Sequence, residues 1–379
     1  MQKVISWSRA FVKKETLLVI SAALAVLSCF VVVPDKTYVT YLDFRVLALL
    51  FSLMLVVAGW QQLGLFERIG NVLSRRVKSV RGLLWVLCGL CFFGSMLITN
   101  DVALITFVPF TIALLCRNGC REKLIPALVI ETIAANLGSM LTPIGNPQNL
   151  YLYSLSGMRL SAFVLHMLPL TVVSFALICV MILVQKNQPL ISQTPEQSEE
   201  TSLLRSRSFW AFVLLFAVCT GGVLRLVPYG AVLAVVTIAV LFLNRTLFGK
   251  VNYSLLATFA FFFILIGNLG RVEVIRQMLN QAIAGRELWF GIGISQIVSN
   301  VPAAMLLSGF SKEYGALLWG VNIGGLGTLI ASMASLISYQ FYSALPGAKK
   351  GRYMGQFTLY NLAALAVLTA AAFTFLALG

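Results

Sequence analysis

Charge is scarce in this chain of 379 residues: charged residues make up 11%, Asp and Glu together number 13, and there is one histidine. A water-soluble domain carries about 25% charged residues, so a soluble globule is excluded. With His166 as the sole imidazole, His-rich metal centres are excluded too. Seven cysteines, 11 prolines and 29 glycines are too few for a disulfide scaffold, a disordered tract or a collagen-like repeat. Apolar residues are abundant instead, at 59% of the chain with a mean hydropathy of +0.91. Runs of about 20 apolar residues cross a ~30 Å hydrocarbon layer. The chain reads as an all-α polytopic membrane protein with the lipid bilayer as its first partner.

The net charge of +15 does not point to a nucleic-acid partner. Lys and Arg gather in short loops between apolar runs, and most fall on one side of the expected topology, as the positive-inside rule requires. Lys3, Arg9, Lys13 and Lys14 precede an apolar run over 17–33 that is too long for a signal-peptide core and ends without a small-residue cleavage site. The N-terminus is expected in the cytoplasm and the C-terminus outside, in a bacterial inner membrane.

Expected spans cover 17–33, 42–62, 124–156, 160–184, 208–225, 229–244, 252–270, 314–342 and 355–378. Two double segments, 83–116 and 288–311, have arms of about 15 residues, or about 22 Å of helix, with the polar tips Thr99-Asn100-Asp101 and Ser299-Asn300. Re-entrant hairpins fit better than full crossings, because a polar tip survives in a membrane only where protein or water surrounds it. The chain divides into a first repeat over 1–184, a linker and connecting span over 185–228, and a second repeat over 229–379. The stretch Gln185–Ser208, rich in Ser, Gln and Glu, reads as a mobile cytoplasmic linker. Leu65–Val77 reads as an amphipathic helix on the cytoplasmic surface, and Trp85 and Trp289 as interface residues at the hairpin mouths.

The halves repeat. Thr99-Asn100-Asp101-Val102-Ala103 aligns with Ser299-Asn300-Val301-Pro302-Ala303, and Asp43-Phe-Arg-Val-Leu-Ala with Asn252-Tyr-Ser-Leu-Leu-Ala. Asn136-Leu-Gly-Ser-Met-Leu-Thr142 aligns without a gap with Asn322-Ile-Gly-Gly-Leu-Gly-Thr328. In the expected topology the repeats are inverted, the architecture of secondary transporters with interrupted helices meeting at mid-membrane.

Four segments carry candidate chemistry. At the first tip, Thr99, Asn100 and Asp101 offer hydroxyl, amide and carboxylate groups to an ion and a substrate, or cap the returning arm. Asp101 holds Na⁺, exchanges a proton, or remains a buried cap; its counterpart is Val301. Ser299 and Asn300 form the second tip, and Asn100, Asp101 and Asn300 are the candidate Na⁺ ligands. In the first broken helix, Pro143 and Pro147 interrupt the backbone ladder, so Asn136, Thr142, Gly145, Asn146 and Asn149 sit where freed carbonyls meet a cation or a half-helix N-terminus faces an anion. In the second, Asn322, Gly325, Thr328 and Ser332 take the same places, although glycines in such helices often serve close packing alone.

Other residues read more plainly. Cys88 and Cys91 have redox or metal spacing without a second pair, and the cysteines are expected to be reduced, small core residues. His166 is expected to pack or sit at an interface. Glu131 fits a salt bridge or surface position as well as a proton path. No nucleophile or metal constellation points to an enzyme.

Leu97-Ile-Thr-Asn-Asp-Val-Ala103, Leu141-Thr-Pro-Ile-Gly-Asn-Pro-Gln-Asn149 and Ser299-Asn-Val-Pro302 resemble the ion transporter superfamily over nearly the whole chain. They look like its arsenite-permease/sodium–proton-antiporter branch, most closely the YbiR-like bacterial inner-membrane proteins. More distantly, they are similar to the divalent-anion/sodium and citrate symporters, in which Ser-Asn-Thr tips bind Na⁺ and a substrate carboxylate. The resemblance implies that Thr99, Asn100, Ser299 and Asn300 line the site, and that the protein is a homodimer with scaffold and transport domains. Asp101 and Val301 stand where the carboxylate symporters carry Thr, which argues against a dicarboxylate. The expected function is a secondary active transporter of a small anion or oxyanion, coupled to Na⁺ or H⁺ and needing no other cofactor. A cation/proton antiporter built on Asp101, and an ion channel with re-entrant hairpins, are the alternatives.

Overall fold

The computed structural model of the chain describes residues 15–74, 77–190 and 206–378. The N-terminal basic cluster, Arg75, Arg76 and most of the expected linker lie outside the described residues. The first half contains α1 (Thr16–Val31), α2 (Phe44–Gln62), α3 (Leu65–Ser74), α4 (Val80–Ile98), α5 (Asn100–Arg117), α6 (Leu124–Gly138), α7 (Pro147–Ser156) and α8 (Leu160–Leu183). After α9 (Arg207–Val223) come α10 (Tyr229–Asn244), α11 (Tyr253–Arg271), α12 (Glu273–Ile283), α13 (Glu287–Val298), α14 (Asn300–Ser308), α15 (Tyr314–Gly324), α16 (Met333–Ser343) and α17 (Lys350–Leu378). Among the described residues there is no strand, and eight helices are long and apolar enough to cross a membrane. Phe30 and Phe242 leave more than four-fifths of their surface uncovered, apolar area that suits lipid and not water.

Polar residues at the ends of the apolar runs start these helices. Asp43 accepts from Val46 N at 3.0 Å and Asn252 from Leu255 N at 3.0 Å, so the aligned pair of motifs is a pair of N-caps. Ser79 caps α4 by accepting from Gly82 N. Gly157 ends α7 at a φ of +67°, a conformation that costs glycine nothing.

The hairpin arms differ from the expected length. Those of the first, α4 and α5, have 19 and 18 residues, about 28 Å each. Those of the second, α13 and α14, have 12 and 9. The first hairpin starts earlier than the apolar run because Arg81 is accommodated inside the helix, its guanidinium donating to the Gln185 carbonyl at 2.8 Å. That bond, with Val80 N to Gln188 O and Leu190 N to Lys78 O, fixes the beginning of the expected linker to the base of α4. Beyond the expected elements there is α12, an amphipathic helix that occupies in the second half the place of α3 in the first.

The packing of the halves is reciprocal. α1 lies along α11 and α2 along α10, so the first helix of each half meets the second helix of the other. α7 packs on α14 and α16 on α5, pairing the far half of each broken helix with the returning arm of the opposite hairpin. Such exchange is what a two-fold relation produces.

The loop before α2 is tied to the end of α11, with Arg271 Nη1 donating to Asp35 Oδ2 at 2.8 Å. The Thr37 hydroxyl and then Arg271 hold the Asp35 carboxyl below its ordinary value of 3.8. A depressed folded-state value contributes stability that is complete above the ordinary value and is lost as pH falls through the folded one. Asp35→Asn is therefore expected to make acid destabilisation shallower below about pH 4 in thermal unfolding. The change is small, because both side chains are about two-fifths exposed.

Candidate functional site

The two hairpin tips share one unusual backbone. Thr99 (φ 68°) and Ser299 (φ 77°) are, with Arg225, the non-glycine residues at positive φ among the described residues. Such a conformation costs about 1–3 kcal/mol and persists only where the surroundings enforce it. Each tip is held to the broken helix of its own half: Asn100 N donates to Gly145 O at 3.2 Å and Asn300 N to Ala331 O at 2.9 Å. The Thr142 hydroxyl donates to the Met96 carbonyl, and the Thr328 hydroxyl to the Gln296 carbonyl at 3.0 Å, both three residues before a tip. Thr142 and Thr328 are thus clasps at the rim, and Thr328 is exposed.

Asparagines hold the breaks. In the first, Asn146 accepts from Asn149 N at 2.9 Å and caps α7, which begins at Pro147. Asn149 Nδ2 lies within 3.4 Å of the carbonyls of Ser139, Met140 and Thr142, which Pro143 and the turn leave without helical donors. The second break has no such asparagine. There Gln296 of α13 donates to Gly324 O and Leu326 O, both at 2.9 Å. Gln296 is a site-shaping residue that the motif comparison misses; a lone amide in an apolar arm is the signal that marks it.

Among the hydrogen bonds that cross between the halves, two are reciprocal. Asn146 Nδ2 donates to Asn322 Oδ1 at 3.1 Å, and the Ser332 hydroxyl donates to Asn136 Oδ1 at 3.0 Å. In the internal alignment Asn146 corresponds to Ser332 and Asn136 to Asn322. Asn136 Oδ1 also accepts from Asn100 Nδ2 at 3.0 Å, and Asn322 Nδ2 reaches Asn149 Oδ1 at 2.7 Å. Asn136 Nδ2 is buried and has no partner.

Small residues permit this convergence. A Cβ on Gly145 would stand 2.1 Å from the Ser139 carbonyl oxygen, and one on Gly325 2.8 Å from Asn300 Nδ2. The result is a gap of about 10 Å³ lined by Leu255 of α11 and, around it, by Asn100, Asp101, Pro147, Gln148, Asn300, Val301, Ser332 and Met333. That is roughly the room one water needs. Apart from Leu255, these are the first residues of α5, α7 and α14 and the start of α16, so four helix N-termini face one point, each carrying a partial positive charge. Beside it, a cavity of about 150 Å³ reaches Thr99, Asp101 and Asn146 from Gln61 and Lys250. The half-buried Asp101 borders both spaces.

The structure thus brings together Asn100, Asp101, Asn136, Gly145, Asn146, Asn149, Ser299, Asn300, Asn322, Gly325 and Ser332, and leaves Thr142 and Thr328 at the rim. Glu131 corrects an expectation: it is fully buried in α6, neither at the surface nor in a salt bridge, with the Thr111 hydroxyl on Oε1. α6 is covered on all sides by α4, α5, α8, α16 and α17, which a one-dimensional charge pattern does not disclose. His166 packs as expected, stacked on Trp319 at 4.7 Å with Nε2 at 3.0 Å from the Gly315 carbonyl oxygen. All seven cysteines are free.

The chain matches the CitMHS citrate transporter family over residues 4–318. It belongs to that family. The chain is 31% identical to the inner membrane protein YbiR of Escherichia coli strain K12, over 89% of this chain and 88% of YbiR. It is 29% identical to an uncharacterized transporter of Methanocaldococcus jannaschii, over 82% of this chain and 84% of that one. Part of it, 37% of the chain, is 33% identical to 28% of the silicon efflux transporter LSI3 of Oryza sativa subsp. japonica. This CitMHS member is a membrane protein of a transporter family.

Proposed function

We propose that the protein is a secondary active transporter that moves a small anion or oxyanion by alternating access, driven by a Na⁺ or H⁺ gradient. The observation that carries this reading is the meeting of four helix N-termini at one gap between the two halves. An anion there gains from the helix dipoles without a dedicated Arg or Lys. The transport machinery is formed by two inverted repeats, 1–184 and 229–379, about a connecting segment over 185–228. It works as a homodimer in a bacterial inner membrane, with the N-terminus cytoplasmic and the C-terminus outside. The layer containing α1, α2, α10 and α11 acts as scaffold.

Thermal unfolding of the purified protein tests this reading, because a ligand of the folded state raises the melting temperature by mass action. The panel is citrate, phosphate, sulfate and silicate, with and without Na⁺, at two pH values. Protection by one anion, larger with Na⁺ or at low pH, is the expected result; the absence of protection by any of them sinks the reading.

A second reading, a cation/proton antiporter, is favoured by one observation: Asp101 borders the gap with no side-chain hydrogen-bond or ion-pair partner at its carboxylate among the described residues. Asp101→Asn separates the two. In the anion transporter it is expected to keep anion protection and to change the Na⁺ or pH dependence by about tenfold. In the antiporter, Na⁺ alone protects the wild type, and the variant loses that protection.

A further inference from the structure

Apart from the gap, a buried polar cluster among the described residues surrounds Glu131. Glu131 is fully buried on α6, its Oε1 accepting from Thr111 on α5 at 2.5 Å, while Oε2 has no partner. The hydroxyl of the next residue, Thr132, donates to the Leu128 carbonyl and lies 2.6 Å from Ser338 Oγ on α16, from which it accepts. The Ser335 hydroxyl, one turn away on α16, and the Tyr353 hydroxyl on α17, beside Thr132, are likewise buried without partners. Three partnerless buried oxygens so close in the fold mark a place where a hydrogen-bonding species is accommodated.

The surroundings give Glu131 no counter-charge. Cys88 and Cys91 on α4 and Tyr353 on α17 are the titratable groups that feel its charge. α8, α15 and α16 contain no Asp, Glu, Lys or Arg, that of α4 (Arg81) stands at its start and is held by the Gln185 carbonyl, those of α5 (Asp101 and Arg117) stand at its two ends, and those of α17 (Lys350 and Arg352) stand at its start. An ionised carboxylate here would be an uncompensated buried charge, so the enclosed state requires the neutral acid.

Polar side chains lead away from Glu131 in two directions. Tyr342 stacks on Tyr353 at 4.9 Å and lines a cavity of about 290 Å³ with Arg121, Lys349 and Arg352. In the other direction Ser335 follows Ser332, whose hydroxyl holds Asn136 in the central network. Because α16 touches both α5 and α6, any movement of the second broken helix alters the cover over Glu131.

We propose that Glu131 is a proton-binding site of this transporter, loaded from water through the cavity beside Tyr342 and emptied when the contact between α6 and α16 opens. Loading transfers a proton from hydronium to Oε2, leaving water and a neutral carboxyl; unloading is the reverse, with no redox partner. The inference rests on the alternating-access reading above and makes H⁺ the coupling ion, at a position separate from Asp101.

Infrared difference spectroscopy of the full-length protein in phosphatidylethanolamine/phosphatidylglycerol vesicles tests the site. The neutral-carboxyl carbonyl band is followed as pH is stepped between about 5 and 9. A reversible band is expected in the wild type and in Asp101→Asn, absent in Glu131→Gln, and shifted in frequency but present in Glu131→Asp. The Asp variant assigns the band even if the Gln variant does not accumulate. A band unchanged in Glu131→Gln overturns the proposal. So does a Glu131 band that never titrates in the folded protein, which marks a fixed structural acid.

Coupling is read by calorimetry of anion binding in two buffers of different ionisation enthalpy. Glu131→Gln is expected to keep anion protection and to lose the proton taken up per anion bound. Protection with unchanged proton uptake defeats the coupling role alone. Failure of citrate, phosphate, sulfate and silicate alike to protect the wild type defeats the transporter reading and the coupling role with it.

Discussion

Gly138→Ala is expected to destabilise the protein by about 3 kcal/mol or more, and to leave little folded protein after extraction into detergent. A Cβ at this position would lie 2.0 Å from the Phe92 carbonyl oxygen. A backbone oxygen in mid-helix has no rotamer to escape into, so α4 and α6 must separate along their shared face. Gly145→Ala meets the Ser139 carbonyl oxygen at 2.1 Å and is expected to behave alike. The same change at Gly293 or Gly355, exposed helical positions with nothing within 4 Å of the new methyl, provides the contrast. There the lower backbone entropy of alanine is expected to raise stability by up to about 1 kcal/mol. Thermal unfolding of the four variants in one detergent reads the difference. A Gly138→Ala protein that melts with the wild type would mean that α4 and α6 are not in the contact described.

Asn146→Ala is expected to cost about 3 kcal/mol and to abolish anion protection. The substitution removes the cap of α7, worth about 1 kcal/mol. It also strips the donor from buried Asn322 Oδ1, and a buried polar group left unpaired costs about 1–3 kcal/mol. A double-mutant cycle with Asn322→Ala isolates the bond between the halves, with an expected coupling of about 1–2 kcal/mol. Additivity of the two substitutions would show that the breaks are held by other contacts. Ser332→Ala probes the reciprocal bond, where a hydroxyl replaces the amide.

Much of this arrangement is written locally. Pro143 and Pro147 remove donors and end helices wherever they stand, and Asp43, Asn146 and Asn252 accept from the residue three ahead. The first broken helix and three helix starts were therefore legible from the chain alone, and the second broken helix through its alignment with the first. The apolar runs marked the long helices for the same reason. What was not legible depends on neighbours distant in sequence. α12 lacks an apolar run, so its helical pattern hides among Arg276, Gln277 and Asn280. The length of α4 turns on Arg81 finding the Gln185 carbonyl, more than a hundred positions away. Thr328 aligns with Thr142 and clasps its hairpin in the same way, yet an alignment says nothing of which side faces out. Glu131 fitted a salt bridge or surface position as well as a proton path until α16 and α17 covered it.

The unequal way in which the two breaks satisfy their carbonyls has a consequence for how the protein is made. Asn146 and Asn322 are 176 positions apart. At a ribosomal pace of about 5–20 residues per second, roughly 10 to 35 seconds separate their synthesis. Throughout that interval the first broken helix waits in the bilayer without the partner that completes it. It is equipped for the wait, since Asn149, from the same break, covers the carbonyls of Ser139, Met140 and Thr142. The second break carries no amide of that kind and needs none. Gln296 is synthesised before Gly324 and Leu326, so the late half is completed by residues that precede it and the early half by residues of its own.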